Sequence, residues 1–154
     1  MYSICIVDDR EIFRRQFKRF ALFRSNEDFQ VKYEAQNGQE ALEILRSTSV
    51  DMVITDIRMP IMDGLELLKT AKEEKLCSCI VLLSEYSDFT YAKQGIVLGA
   101  FDYLVKPIDM GMLKDLLERA KEYLRSRAQG IAQSNSEMRI LPGLLLKNDS
   151  YAEV

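Results

Sequence analysis

Met52-Val53-Ile54-Thr55-Asp56-Ile57-Arg58-Met59-Pro60-Ile61-Met62-Asp63-Gly64 is the stretch that decides the fold. Apolar residues lead to a hydroxyl and a carboxylate. The pattern then stops at Arg58-Met59-Pro60 and Asp63-Gly64 before Leu65, Leu67, Leu68 and Ala71 resume it. A buried strand ends at Asp56, a turn-rich loop follows, and an amphipathic helix begins.

The same unit recurs on both sides of it. Ile4-Cys5-Ile6-Val7 runs into Asp8-Asp9, and Ile12, Phe13, Phe17, Phe20 and Ala21 then recur at helical spacing, predicting one first helix. Phe29, Val31, Tyr33 and Ala35 alternate with polar residues as a half-buried strand near a sheet edge does, and Asn37-Gly38 turns the chain before Ala41, Leu42 and Leu45. Ile80 to Leu83 reads as a strand buried on both faces and ending at Ser84; Phe89, Ala92, Ile96 and Val97 give a fourth helix. Asp102 to Val105 is the fifth strand, ending at Lys106-Pro107. Asp109 then caps a fifth helix carrying Leu113, Leu116, Leu117, Ala120 and Leu124.

Five strand–helix units predict an α/β fold with a parallel sheet. Right-handed crossovers put every strand's carboxyl end on one edge, where open α/β sheets place their chemistry. Asp8-Asp9, Asp56, Ser84 and Lys106 all stand at such ends.

Composition narrows the chemistry. The 154 residues carry no histidine, so Ser-His-Asp, Cys-His and histidine-ligated metal sites are excluded. Cys5, Cys77 and Cys79 cannot all pair, Cys77 and Cys79 are poorly spaced for a bridge, and the three read as buried small hydrophobes in a reducing cytoplasm. A net charge of −3 argues against whole-chain attraction to nucleic acid. No apolar run approaches the roughly 18 residues that span a bilayer, so no membrane association is expected. Met1-Tyr2-Ser3-Ile4-Cys5-Ile6 does not read as a basic and apolar leader, so secretion is not expected.

Residues 1–127 are expected to form the domain, with 128–154 as a linker or an extension of the final helix. Leu113, Leu117, Ala120, Leu124, Ala128 and Ile131 follow a near-heptad spacing that Gly130 weakens, and Ser134-Asn135-Ser136 and Pro142-Gly143 break any period beyond it.

If Asp8, Asp9 and Asp56 converge, each carboxylate pair about 4 Å apart repels by about 4 kcal/mol at an effective dielectric near 20. A cation must then sit among them. Mg²⁺ suits such a site, because it takes one or two carboxylates, keeps several waters and leaves room for phosphate oxygens. Lys106 adds a compact positive charge for a phosphate oxygen, and Ser84 a hydroxyl donor. A carboxylate can be the nucleophile in covalent phosphoryl transfer.

Val7-Asp8-Asp9, Thr55-Asp56-Ile57-Arg58-Met59-Pro60, Asp63-Gly64, Leu83-Ser84 and Asp102-Tyr103-Leu104-Val105-Lys106-Pro107 closely resemble, in order and spacing, the receiver domains of two-component response regulators. The resemblance covers about residues 2 to 125. It implies a doubly wound, flavodoxin-like five-stranded sheet in the order 2-1-3-4-5. It makes Asp56 the phosphoacceptor, with Lys106 and Ser84 contacting the phosphoryl group, and Asp8, Asp9, Asp56 and the backbone carbonyl of Arg58 holding Mg²⁺. Ser84 and Tyr103 become the switch pair, and Lys106-Pro107 a cis bond. The implied partner is a sensor histidine kinase, with self-phosphorylation and self-dephosphorylation as the only activity. A homodimer would use the fourth helix, fifth strand and fifth helix.

The segments from Ser84 to Ala92 and from Gly99 to Tyr103 resemble receivers of transcription regulators with an AraC-type output. DNA binding would belong to that output, which these residues do not contain, so the chain is expected to be a piece of a longer regulator. Two other readings compete. A receiver-like interaction module that is never phosphorylated does not account for the complete set of five residues. A haloacid-dehalogenase-like phosphatase needs a second aspartate two residues after its nucleophile, where Arg58 stands, and a nucleophile after the first strand.

Overall fold

The computed structural model describes residues 1–24 and 26–134. Five strands, β1 (Tyr2–Val7), β2 (Phe29–Ala35), β3 (Met52–Asp56), β4 (Cys79–Ser84) and β5 (Asp102–Val105), form one sheet in the order β2-β1-β3-β4-β5. All four pairings are parallel, as the alternation of elements requires. The helices are α1 (Glu11–Lys18), α2 (Ala21–Arg24), α3 (Gly38–Ser47), α4 (Gly64–Glu73), α5 (Phe89–Val97) and α6 (Met110–Ser134), with a 3₁₀ turn at Tyr86–Asp88.

Burial follows from strand position. β3 and β4 are inner strands and every residue in them is buried. β2 lies at an edge and shows the alternation expected of it, with Phe29 and Ala35 buried and Gln30, Lys32 and Glu34 exposed between them. Cys5, Val7, Val53, Ile80 and Leu82 share a core with Ala41, Leu42 and Leu45 of α3, Leu67, Leu68 and Ala71 of α4, and Ala92 of α5. Strand geometry turns the intervening Ile4, Ile6, Met52, Ile54, Val81 and Leu83, all fully buried, to the opposite face. Removing a leucine such as Leu82 or Leu67 from this interior costs about 2–5 kcal/mol.

Side-chain caps set the starts of α3, α4 and α6. The Asn37 side chain accepts the Glu40 amide (2.9 Å), Asp63 the Glu66 amide (2.9 Å) and Asp109 the Met112 amide (3.1 Å).

One helix differs from its sequence reading. The first helix is split: α1 ends at Lys18, where the Arg19 amide turns back to the Gln16 carbonyl and the Phe20 amide to the Phe17 carbonyl, and α2 is a separate turn. The break lets Phe20 and Phe23 both return to the buried Phe17, at centroid distances of 5.4 and 5.3 Å. Ile12, counted on the apolar face, is 64% exposed.

The sheet and the helices packed on it make up one compact unit, Met1–Lys121, and a second unit begins at Glu122. Within the second unit, residues 122–134 are the helical continuation of α6, with local Arg125–Glu122 and Arg127–Tyr123 contacts. The Ser134-Asn135-Ser136 and Pro142-Gly143 signals fall largely or wholly outside the described residues.

Candidate functional site

Strand order brings Asp8, Asp56, Ser84 and Lys106 to one rim. β1 and β3 are paired neighbours, so the residues leaving their carboxyl ends, Asp8 and Asp56, come side by side; β4 and β5 extend the same edge with Ser84 and Lys106. Asp8, Asp9 and Asp56 each offer a carboxylate oxygen, and these oxygens lie within 4.8 Å of one another. Asp8 is fully buried, Asp56 is 7% exposed, and Asp9 faces solvent.

Asp8 is tightly held. Its Oδ1 accepts the Arg10 amide (2.9 Å), its Oδ2 accepts Lys106 Nζ (2.7 Å), and its carbonyl accepts Arg14 Nη1 (2.6 Å). Asp56 has lighter support: Oδ1 accepts the Ile57 amide (2.9 Å) and Oδ2 lies 3.4 Å from Lys106 Nζ. Burial pushes the Asp56 carboxyl up from 3.8 to about 6; the Lys106 charge pulls against this, and the neighbouring Asp8 adds to it. Three carboxylates therefore face the single buried ammonium of Lys106, a charge imbalance that a hard divalent cation with oxygen ligands corrects.

Ser84 supplies a second sign of fit. The residue is 1% exposed, and its Oγ is the one buried side-chain polar atom among the described residues with no hydrogen-bond partner. A buried hydroxyl left unpaired costs about 1–3 kcal/mol, so this rim holds a donor that an oxygen placed beside it would satisfy. Tyr103 is half-buried, meets Phe89 edge-on at 6.5 Å, and shares with Ser84, Glu85, Phe89 and Val105 an open recess of about 440 Å³.

The loop after Asp56 is held by backbone proximity. A Cβ on Gly64 would lie 2.1 Å from the Asp56 carbonyl oxygen, while the Gly64 amide donates to Ile57 (2.8 Å). Ile61 has φ of 71° at the centre of a γ-turn closed by the Met62 amide on Pro60 (2.8 Å), a costly geometry for a β-branched residue, and it is 81% exposed. Lys106-Pro107 is cis, as expected.

Two contacts were invisible in the sequence pattern. The Arg58 side chain pairs with the buried Asp88 (2.7 Å) and lies over Tyr91 at 4.9 Å, tying the Asp56 loop to the start of α5. Phe13, which reads only as a helix-face apolar residue, places its ring 4.3 Å from Lys106 Nζ. Neither spacing nor composition carries a signal for them. Cys5, Cys77 and Cys79 are buried free thiols, pushed up to about 12, 11 and 12 by desolvation, as inert core residues are.

The response regulator receiver domain model matches residues 4–118, which take in β1 from Ile4, the other four strands and the acidic rim. The chain belongs to that family. An uncharacterized response regulatory protein of Staphylococcus epidermidis is 38% identical to this receiver over 127 residues, 82% of this chain and 49% of that protein. The transcriptional regulatory protein HptR of Staphylococcus aureus is 34% identical over 154 residues, 98% of this chain and 60% of that protein. The chain thus spans about half to three-fifths of the length of these relatives. Among solved structures, the REC domain of AraT, a response regulator from Geobacillus stearothermophilus, superposes with a TM-score of 0.74 at 36% identity, covering 82% of this receiver and 98% of that chain. The strand order 2-1-3-4-5 and the five-stranded parallel sheet are those of the receiver fold. Among the described residues, no helix of this receiver is long and apolar enough to cross a membrane.

Proposed function

We propose that this receiver is the phosphoacceptor switch of a two-component system and that Asp56 takes a phosphoryl group from a phosphohistidine of a sensor histidine kinase. An Asp56 carboxylate oxygen forms the new O–P bond as the donor's N–P bond breaks; the N–P electron pair returns to the imidazole, which takes one proton from solvent, leaving an acyl phosphate on the receiver and a neutral histidine on the kinase. The observation that carries this reading is the convergence of Asp8, Asp9, Asp56 and Lys106 beside an unpartnered Ser84 hydroxyl.

Asp8, Asp9, Asp56 and the Arg58 carbonyl would hold Mg²⁺, which when bound neutralises charge on the phosphoryl oxygens. Asp8 is oriented by the Arg10 amide and Lys106 before any ligand arrives, and Asp56 by the Ile57 amide. Lys106 stands nearer Asp8 than Asp56, so it exchanges part of that contact for a phosphoryl oxygen once Asp56 is modified. The Ser84 hydroxyl donates to another phosphoryl oxygen. Its movement would open space in the recess it shares with Tyr103 and favour the inward position of that ring, shifting a two-state equilibrium on the α5–β5–α6 side. Self-catalysed hydrolysis returns the carboxylate.

The same side exposes Phe89, Val97, Val105 and Met112, which supports its use in homodimerisation. A transcriptional, AraC-type output joined beyond a 1–127 domain, acting on DNA in the cytoplasm, completes the proposal; the name of HptR as a transcriptional regulatory protein favours it.

Intact-mass analysis after acetyl phosphate and Mg²⁺ tests the acceptor. The native protein is expected to gain one phosphoryl group only with Mg²⁺, and Asp56→Asn none. Equal labelling of the variant refutes the assignment. No labelling of either favours an unphosphorylated interaction module, and sustained turnover of a phosphomonoester favours a phosphatase.

A further inference from the structure

We infer that Phe13 is a positioning residue for Lys106: its aromatic face holds the ammonium at the rim between Asp8 and Asp56. The inference rests on the phosphoacceptor reading for its functional consequence, and on geometry alone for the contact.

Lys106 Nζ lies 4.3 Å from the Phe13 ring centroid, 2.7 Å from Asp8 Oδ2 and 3.4 Å from Asp56 Oδ2, and the lysine side chain is only 6% exposed. An ammonium is a compact charge on a flexible four-carbon stem with no plane of its own to fix its direction. Two carboxylates at unequal distances would draw it to the nearer one. A ring face attracts a cation over a broad area, and the attraction strengthens when the cation is desolvated, as this one is. The ring thus keeps the ammonium at the rim during its exchange from Asp8 to a phosphoryl oxygen on Asp56.

The ring is itself anchored. Phe13 stacks on Phe17 at 6.1 Å with 28° between planes, and Phe17 is fully buried against Phe20 and Phe23. The split after α1 that gathers those rings therefore also steadies Phe13. Arg10 lies over the same ring at 5.9 Å, farther than Lys106, and it reaches toward Asp8 and Glu85 at 3.8 Å each. The closer and more buried cation is Lys106. Stacking on Phe17 accounts for a ring at position 13, and the approach of the ammonium to 4.3 Å is a second contact that the stacking does not require.

The test replaces Phe13 with mono-, di- and trifluorophenylalanine, which drain the ring face of negative potential while nearly preserving its shape. Two quantities are read. One is the initial rate of Asp56 labelling by acetyl phosphate with saturating Mg²⁺. The other is the coupling between position 13 and Lys106→Met in urea unfolding, which does not depend on phosphorylation.

The labelling rate is expected to fall stepwise with fluorination, to about fivefold to thirtyfold below native for the trifluoro ring and for Phe13→Leu, while Phe13→Tyr stays within about twofold. The effect of the trifluoro ring on the folding equilibrium constant is expected to reach about fivefold with Lys106 present and to vanish in the Lys106→Met background, which is a coupling of about fivefold. A flat fluorination series with normal native labelling overturns the inference and leaves the phosphoacceptor reading intact. Absent labelling of native protein with a clear coupling sinks that reading and keeps the contact. Zero coupling overturns the contact whatever the labelling.

Discussion

Asp56→Asn is expected to stabilise the metal-free protein at neutral pH, although it removes the residue on which the proposed function depends. Burial, with help from Asp8, pushes the Asp56 carboxyl from 3.8 to about 6 against the pull of Lys106, so the fold favours its neutral form. A folded-state value above the unfolded one means that the group's stabilising contribution is complete below about 3.8 and lost as pH rises through about 6. At about 1.36 kcal/mol per pH unit, the displacement corresponds to about 3 kcal/mol of penalty above that range. The carboxylate sits at an open rim, and solvent screening reduces this to about 1.5 kcal/mol. Asparagine keeps the shape and an acceptor for the Ile57 amide without the charge. Urea unfolding in EDTA at pH 4.0, 5.5 and 7.5 measures the difference. With a slope of about 1.5 kcal/mol per M, the variant's midpoint should lie about 1 M above native at pH 7.5 and converge with it near pH 4. Mg²⁺ should reverse the order, because an ion bound by three carboxylates in the native protein adds stability by mass action that the variant gains less of. A variant less stable than native at pH 7.5 in EDTA, or a gap that does not change with pH, would refute the reasoning.

Two further substitutions probe the same rim. Ser84→Ala removes a buried hydroxyl without a partner, so the unphosphorylated protein should gain about 1 kcal/mol in urea unfolding while Asp56 labelling weakens; a loss of about 1 kcal/mol would mean that the hydroxyl is satisfied in the resting protein. Gly64→Ala puts a Cβ 2.1 Å from the Asp56 carbonyl, against backbone that cannot swing aside, and should cost about 2 kcal/mol or more and slow labelling at least about tenfold. Unchanged stability in that variant would show that the loop after Asp56 is free to move.

Much of this receiver is legible in its residues because local pattern and burial agree. Inner strands are unbroken apolar runs, the edge strand β2 alternates, and side-chain caps stand where α3, α4 and α6 begin, so the five units and the rim residues Asp8, Asp56, Ser84 and Lys106 follow from periodicity and crossover handedness. The strand order itself came from the family resemblance and not from the pattern, because periodicity reports which face of an element is buried and not which element lies beside it. Only the tertiary structure decided the rest. Lys106 and Asp8 meet across 98 residues of chain, Arg58 reaches the buried Asp88, and Phe13 turns its ring to Lys106. The break between α1 and α2 belongs here too, since it accompanies the return of Phe20 and Phe23 to Phe17, contacts that helical spacing does not announce. Such contacts depend on side chains brought together by packing, and a one-dimensional pattern holds the partners without their pairing.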